Sequence, residues 1–256
     1  MTDQISVVIP AYESDHLFRQ ALDSVIAQEG VQADIIVTDD SVSARIADLT
    51  AAASRRHGAV RWLQGPRSGV AAENWNHGLS HALFPAKVVL HQDERYVDPQ
   101  FLRRALEALA KPGVAAAAGG VQVTGVTRAS RFGLIAALRR FPGAKVVLPM
   151  INWLGPTGTF VFTGDHRFDT ALIQLVDVEF YGRVLRRGRL AALAGVSVAS
   201  LGHHPESITA RIDGDALALT ELEMLARGPA PAISPFQRAV FRAALKARMR
   251  LRRGAP

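Results

Sequence analysis

The chain holds 256 residues, 48% of them hydrophobic, enough for one large α/β domain and too apolar for a disordered segment. It has no cysteine, which excludes disulfide frameworks and thiol chemistry, and no apolar run reaches the ~20 residues a bilayer crossing needs. Formal net charge is +7, but residues 234–256 carry seven cations and no acid, so the remainder sums to about zero and no nucleic-acid partner is expected.

In chain order, "ISVVIP" (5–10) reads as a buried strand. "DHLFRQALDSVIAQEG" (15–30) places Leu17, Phe18, Ala21, Leu22, Val25 and Ile26 on one helical face, with Gly30 as the stop. Strands follow at 33–38 and 59–64, a helix at 70–83, and a strand at 86–91. Asp98 as N-cap and Pro99 at the first helical position predict the next helix. This β-α-β-α order predicts a mostly parallel, Rossmann-like sheet covered by helices on both faces, with C-terminal helices. The expected organisation is a domain over 1–225, with a nucleotide-binding half (1–110) and an acceptor half (111–225). A Pro/Gly-rich linker (226–235) and a basic amphipathic C-terminal helix (236–256) complete it. The N-terminus shows no leader ahead of the first strand, so a cytoplasmic location is expected.

Three of these strands run into polar groups: Ala11-Tyr12-Glu13, Asp39-Asp40-Ser41, and His91-Gln92-Asp93-Glu94. In an open parallel sheet the carboxyl ends of the strands share one edge, and ligands bind there. Carboxylates crowded on that edge repel unless a cation joins them, and oxygen ligands suit Mg²⁺ or Mn²⁺. Such ions take their remaining ligands from phosphates, so a nucleotide diphosphate is the natural guest. The first strand lacks the GxGxxG of dinucleotide folds, and no P-loop is present.

The segments "SVVIPAYES", "ADIIVTDDS", "SGVAAENWNHGLSHA" and "VVLHQDERYVDPQFL", in this order, resemble the inverting family-two glycosyltransferases of GT-A fold. The resemblance covers residues 5–110 well and continues more loosely to about 209. It implies that Pro10, Ala11, Tyr12, Glu13 and Asp40, with Asp39 adjacent, cradle the nucleoside of a nucleotide-sugar donor, a uridine diphosphate sugar by default. The acidic metal motif falls on His91-Gln92-Asp93: His91 replaces the first aspartate and Asp93 is the implied ligand, supported by His91 and Glu94. "LIQLVDVEFYGRVLRRG" (172–188) resembles the family's acidic helix, with Val176 in place of a glutamate and Asp177 as the implied catalytic base. "GHHPESIT" resembles a later segment that would bring His204 to the metal.

A helix N-terminus favours a carboxylate, so Asp177 is expected to be ionised. The implied acceptor is a glycan or lipid-linked hydroxyl, in cell-surface polysaccharide or glycolipid assembly. The basic tail, with Phe236, Val240, Phe241, Leu245 and Met249 at helical spacing, reads either as a peripheral contact with the inner membrane face or as a helix packed on the domain. The segment 128–145 is likewise basic and apolar and reads as a flank of the acceptor. The alternative to an enzyme is a non-catalytic sugar-nucleotide or glycan-binding relative that regulates a partner.

Overall fold

The computed structural model describes residues 3–124, 148, 152–202, 213–227 and 233–253. Alternating apolar residues build its centre. In β1 (Gln4–Ala11), Ile5, Val7 and Ile9 join the core on one face while Val8 joins the other; in β2 (Gln32–Asp39), Ile35 and Val37 oppose Ile36 in the same way. A strand apolar on both sides must be covered on both sides, and the helices do this. One face carries α1 (Asp15–Ile26), α2 (Arg45–Ser54) and α4 (Phe101–Leu109). The other carries α3 (Ala71–Ser80), α5 (Val176–Leu185), α6 (Gly214–Leu225) and α7 (Pro235–Arg253). Gly78 lets α3 lie close on the sheet, because a Cβ there would run into Val8 and come within 3.0 Å of Thr38 Cγ2.

The remaining strands are β3 (Val60–Gln64), β4 (Ala86–Val89), β5 (Glu94–Tyr96), β6 (Val114–Val123), β7 (Phe160–Thr163) and β8 (Arg189–Ser200). The eight-stranded order is β3-β2-β1-β4-β7-β6-β8-β5. The pairs β3–β2, β2–β1, β1–β4 and β6–β8 are parallel; β7 is antiparallel to both β4 and β6, and β5 is antiparallel to β8. The register aligns Ala11 with Asp39 and Asp39 with Gln64, so the first strands end together.

Two local expectations change. The strand expected over 86–91 stops at Val89, and the chain turns through His91–Asp93 into the short β5. Asp98 does not cap α4, whose N-cap is Gln100. Its Oδ1 accepts the Gln100 N–H at 2.9 Å and its Oδ2 pairs with Arg104, so the carboxylate closes a turn before the helix.

Candidate active site

The common edge of β1 and β2 is held by side chains of the motif residues. Glu13 has a left-handed backbone (φ 53°), uncommon outside glycine, and its carboxylate accepts Val42 N–H (2.7 Å), Ser43 N–H (3.1 Å) and Ser43 Oγ–H (2.8 Å). These bonds hold its carboxyl below the usual carboxylate range, the Ser43 hydroxyl contributing most. The Glu13 N–H in turn donates to Ser41 Oγ at 2.8 Å. Asp39 is buried; it accepts Ser41 N–H at 2.9 Å and the Trp62 indole N–H at 3.1 Å. Asp40 accepts the Arg67 N–H at 2.9 Å. Pro10 and Ala11 are buried at the strand end, whereas Tyr12 is exposed. The Gln92 side-chain amide clamps the Tyr12 backbone, donating to its carbonyl (3.0 Å) and accepting its N–H (2.8 Å).

That clamp joins the end of β1 to the turn "HQDE". His91, Asp93 and Glu94 each offer a ligand atom, and the three atoms lie within 4.8 Å of one another. Glu94 is buried, at 3.3 Å from His91 Nδ1 through Oε1, and its Oε2 accepts the Gly158 N–H at 2.8 Å. Gly158 is required there, since a Cβ would run into that same Glu94 oxygen and into Leu90. His91 Nε2 lies 3.3 Å from Thr157 Oγ1, and its ring packs on Trp75 at 4.6 Å between centroids. Trp75 also meets Phe168 edge-on, and the Asn76 amide pairs with both backbone groups of Phe168. Burial works against a charged His91, but Glu94, by charge and by hydrogen bond, then Asp177 and Asp93, outweighs it and lifts the imidazole to about 9.

Asp177 is the second residue of α5. Val176, Phe180 and Val184 face the core, so Asp177 stands off that stripe, as the helical period requires. Its Oδ1 is buried and has no hydrogen-bond partner among the described residues. Burial pushes its carboxyl up, the His91 charge draws it back, and Asp93 pushes it up again. Desolvation and a neighbouring acid thus oppose the helix-terminus effect expected for this residue.

The backbone leading into α5 is pinned from α6. The buried Glu221 carboxylate accepts the N–H groups of Ile173 (2.7 Å), Gln174 (3.0 and 3.1 Å) and Leu175 (2.7 Å). Ile173 and Gln174 precede the helix and Leu175 is its N-cap, so this carboxylate fixes the turn that leads into α5.

The structure therefore gathers Tyr12, Glu13, Asp39 and Asp40 at one strand edge. It also couples His91, Asp93, Glu94 and Asp177 electrostatically. His204 and the segment 128–145 lie outside the described residues. The sequence alone assigned no individual role to Gln92, Thr157, Gly158 or Glu221. Only Glu221 left a signal, as an acid on the apolar face formed by Ala218, Leu222 and Leu225.

A twisted sheet with carboxylates and a histidine gathered beyond the carboxyl ends of its parallel strands is the architecture of a nucleotide-handling α/β protein. The chain belongs to glycosyl transferase family 2, whose profile matches residues 6–164. It is 31% identical over 201 residues to an uncharacterised Mycobacterium tuberculosis protein, a match spanning 72% of this chain and 62% of that relative. Among solved structures it is similar to the mannosyltransferase PcManGT of Pyrobaculum calidifontis in complex with GDP-Man and Mn²⁺. The TM-score there is 0.67 at 16% identity, covering 98% of this chain and 75% of that one. It is also similar to S. aureus TarS 1–349 in complex with UDP-GlcNAc, with TM-score 0.69 at 14% identity, 96% of this chain and 72% of that one. The fold is accordingly the GT-A fold that the resemblance implied.

Proposed function

We propose that the chain transfers a sugar, with inversion, from a nucleotide-diphosphate sugar to an acceptor hydroxyl, uridine diphosphate sugars being the first donors to try. The observation that carries this reading is the buried Asp177 oxygen, without a hydrogen-bond partner among the described residues, coupled in charge to the His91–Asp93–Glu94 group at the carboxyl edge of the sheet. The acceptor we take to be a glycan or lipid-linked hydroxyl, in cell-surface polysaccharide or glycolipid assembly.

The chemistry of the edge fits a divalent cation. One imidazole and two carboxylates within 4.8 Å form a donor set suited to Mn²⁺ or Mg²⁺. Asp93 and His204 are assigned as ligands by resemblance, and Glu94, whose two oxygens meet His91 and the Gly158 N–H, supports the turn. When bound, the ion would neutralise charge on the departing diphosphate. The protein's part is positional and acid–base. Tyr12 and Asp40 line the nucleoside wall, which Pro10, Ala11, Glu13 and Asp39 hold in shape. Asp177 accepts the acceptor hydroxyl's proton as that oxygen bonds to C1 of the sugar and the C1–diphosphate bond breaks. The proton ends on the Asp177 carboxylate, the electron pair on the diphosphate. In the metal-free protein the charge of the His91–Glu94 pair draws the Asp177 carboxyl toward the ionised form that this step requires.

Calorimetric titration of UDP into the protein, with and without Mn²⁺, and into Asp93→Ala tests this reading. Binding that needs both the metal and Asp93 is expected. Failure of UDP, GDP and dTDP alike to bind would overturn it. Binding without turnover on any donor would favour the non-catalytic alternative, toward which His91 and Val176, as departures from the motif, point.

A further inference from the structure

The C-terminal helix has two apolar faces, and the domain uses one. Phe241 is buried, and Leu245 and Met249 are half-buried at i+4 and i+8; Arg238 and Arg242 both pair with Glu223 of α6, the latter at 3.4 Å. This row seats α7 on the molecule. The opposite row is open: Phe236 is 76% exposed and Val240 41%, and Ala243 and Ala247 are exposed beside them. At 3.6 residues per turn these four fall within an arc of about 60°. Exposed Lys246 and Arg250 flank the row on one side. A single exposed apolar residue is ordinary, but a continuous apolar row flanked by cations is not.

A second feature adjoins the first. Between α6 and α7 runs a groove of about 420 Å³ with Leu219 and Met224 on its apolar side and Arg227, Arg242 and Lys246 on its charged side. Its one acid, Glu223, is already paired to Arg238 and Arg242.

We propose that this outward face of α7, with the adjoining groove, docks on an anionic phospholipid membrane. The apolar row would enter the headgroup–acyl boundary, and the cations of the groove would receive lipid phosphates. No described helix is long and apolar enough to cross a membrane, and a basic helix with one open apolar row lies in the interface instead. An acidic protein partner would match the charge but not the apolar row, whereas an anionic bilayer matches both.

The inference goes beyond the transferase reading and is tested apart from it. The full chain is floated with vesicles of equimolar phosphatidylglycerol and phosphatidylcholine, and with phosphatidylcholine alone. Wild type is expected to float with the anionic vesicles only, and added salt should weaken it. Phe236→Ser combined with Val240→Ser should weaken partition by about tenfold or more, as should Lys246→Glu. Both apolar positions are exposed, so circular dichroism and UDP binding should stay at wild-type values. No flotation with anionic vesicles, or flotation unchanged in both variants, would overturn the proposal. So would a concentration-dependent dimer by light scattering that the double variant abolishes, since a second copy would then own the row. Loss of UDP binding with flotation intact would count against the transferase reading alone.

Discussion

At Asp177 a carboxylate is kept from its usual partners: one oxygen is buried and unbonded among the described residues, and a second acid, Asp93, raises it further. Such a group is a stronger base than a solvated aspartate as long as it remains ionised, and the His91 charge works in that direction against burial. Asp177→Asn is therefore expected to lower kcat by about 10²–10⁴-fold, with UDP affinity near wild type, checked by turnover alongside calorimetry. His91 carries a pH signature. In the metal-free protein its imidazole titrates at about 9, against 6.5 when unperturbed. The folded state then holds a proton that the unfolded state has released, so this contribution is complete below pH 6.5 and is lost as pH rises through about 9. Its ceiling is about 3 kcal/mol. Urea titrations with chelator present should show the stability gap between wild type and His91→Gln closing over that interval. His91 and Asp93 were legible as residues because they sit where an apolar run is interrupted, whereas Asp177 was reached through the resemblance of its segment to the family's acidic helix. The Gln92 clamp and the Gly158–Glu94 bond were not legible, because each joins groups 64 or more positions apart and neither breaks a local pattern.

One helix aims another through Glu221. Three successive N–H groups ahead of α5 converge on its buried carboxylate, and the last of them is two residues before Asp177. Glu221→Ala would leave those donors without their acceptor and free the start of the helix that holds Asp177, the proposed base. A loss of about 3 kcal/mol in urea unfolding is expected. In the fraction still folded, kcat should fall while UDP affinity stays, because the nucleotide side is built from other elements. Glu221→Gln should recover part of both. The elements of the first half were readable, since β1, β2 and β4 are β-branched runs and α1 keeps a clean helical period. The strands β6 and β8 were not. "VAAAAGGVQV" and "RLAALAGVSVAS" are rich in alanine, which favours helices in isolation, and only their pairing with each other, with β7 on one side and β5 on the other, makes them strands. At three residues, β5 is too short to carry any period.

For the whole molecule, the sheet order interleaves the two halves of the sequence: β4 pairs with β7, and β5 with β8. The proposed nucleotide wall on β1 and β2 and the His91–Glu94 turn belong to one sheet on which the Asp177 helix packs, and a ligand at the edge should stabilise all of it at once. Binding to the native state alone adds RT ln(1 + [L]/Kd), about 2.7 kcal/mol at a hundredfold excess over Kd. For a domain of this size each kcal/mol raises Tm by roughly 2–4 °C, so saturating UDP with Mn²⁺ should raise a single transition by about 5–10 °C. Mn²⁺ alone, held by few protein ligands, should do much less. In Asp93→Ala the shift with both ligands should fall to that with UDP alone, because the ion would no longer bridge protein and diphosphate. Two separate transitions, only one of them moved by ligand, would mean that the halves unfold independently and that the Asp177 helix is not coupled to the nucleotide edge. A full shift in Asp93→Ala would take the ion away from the "HQDE" turn.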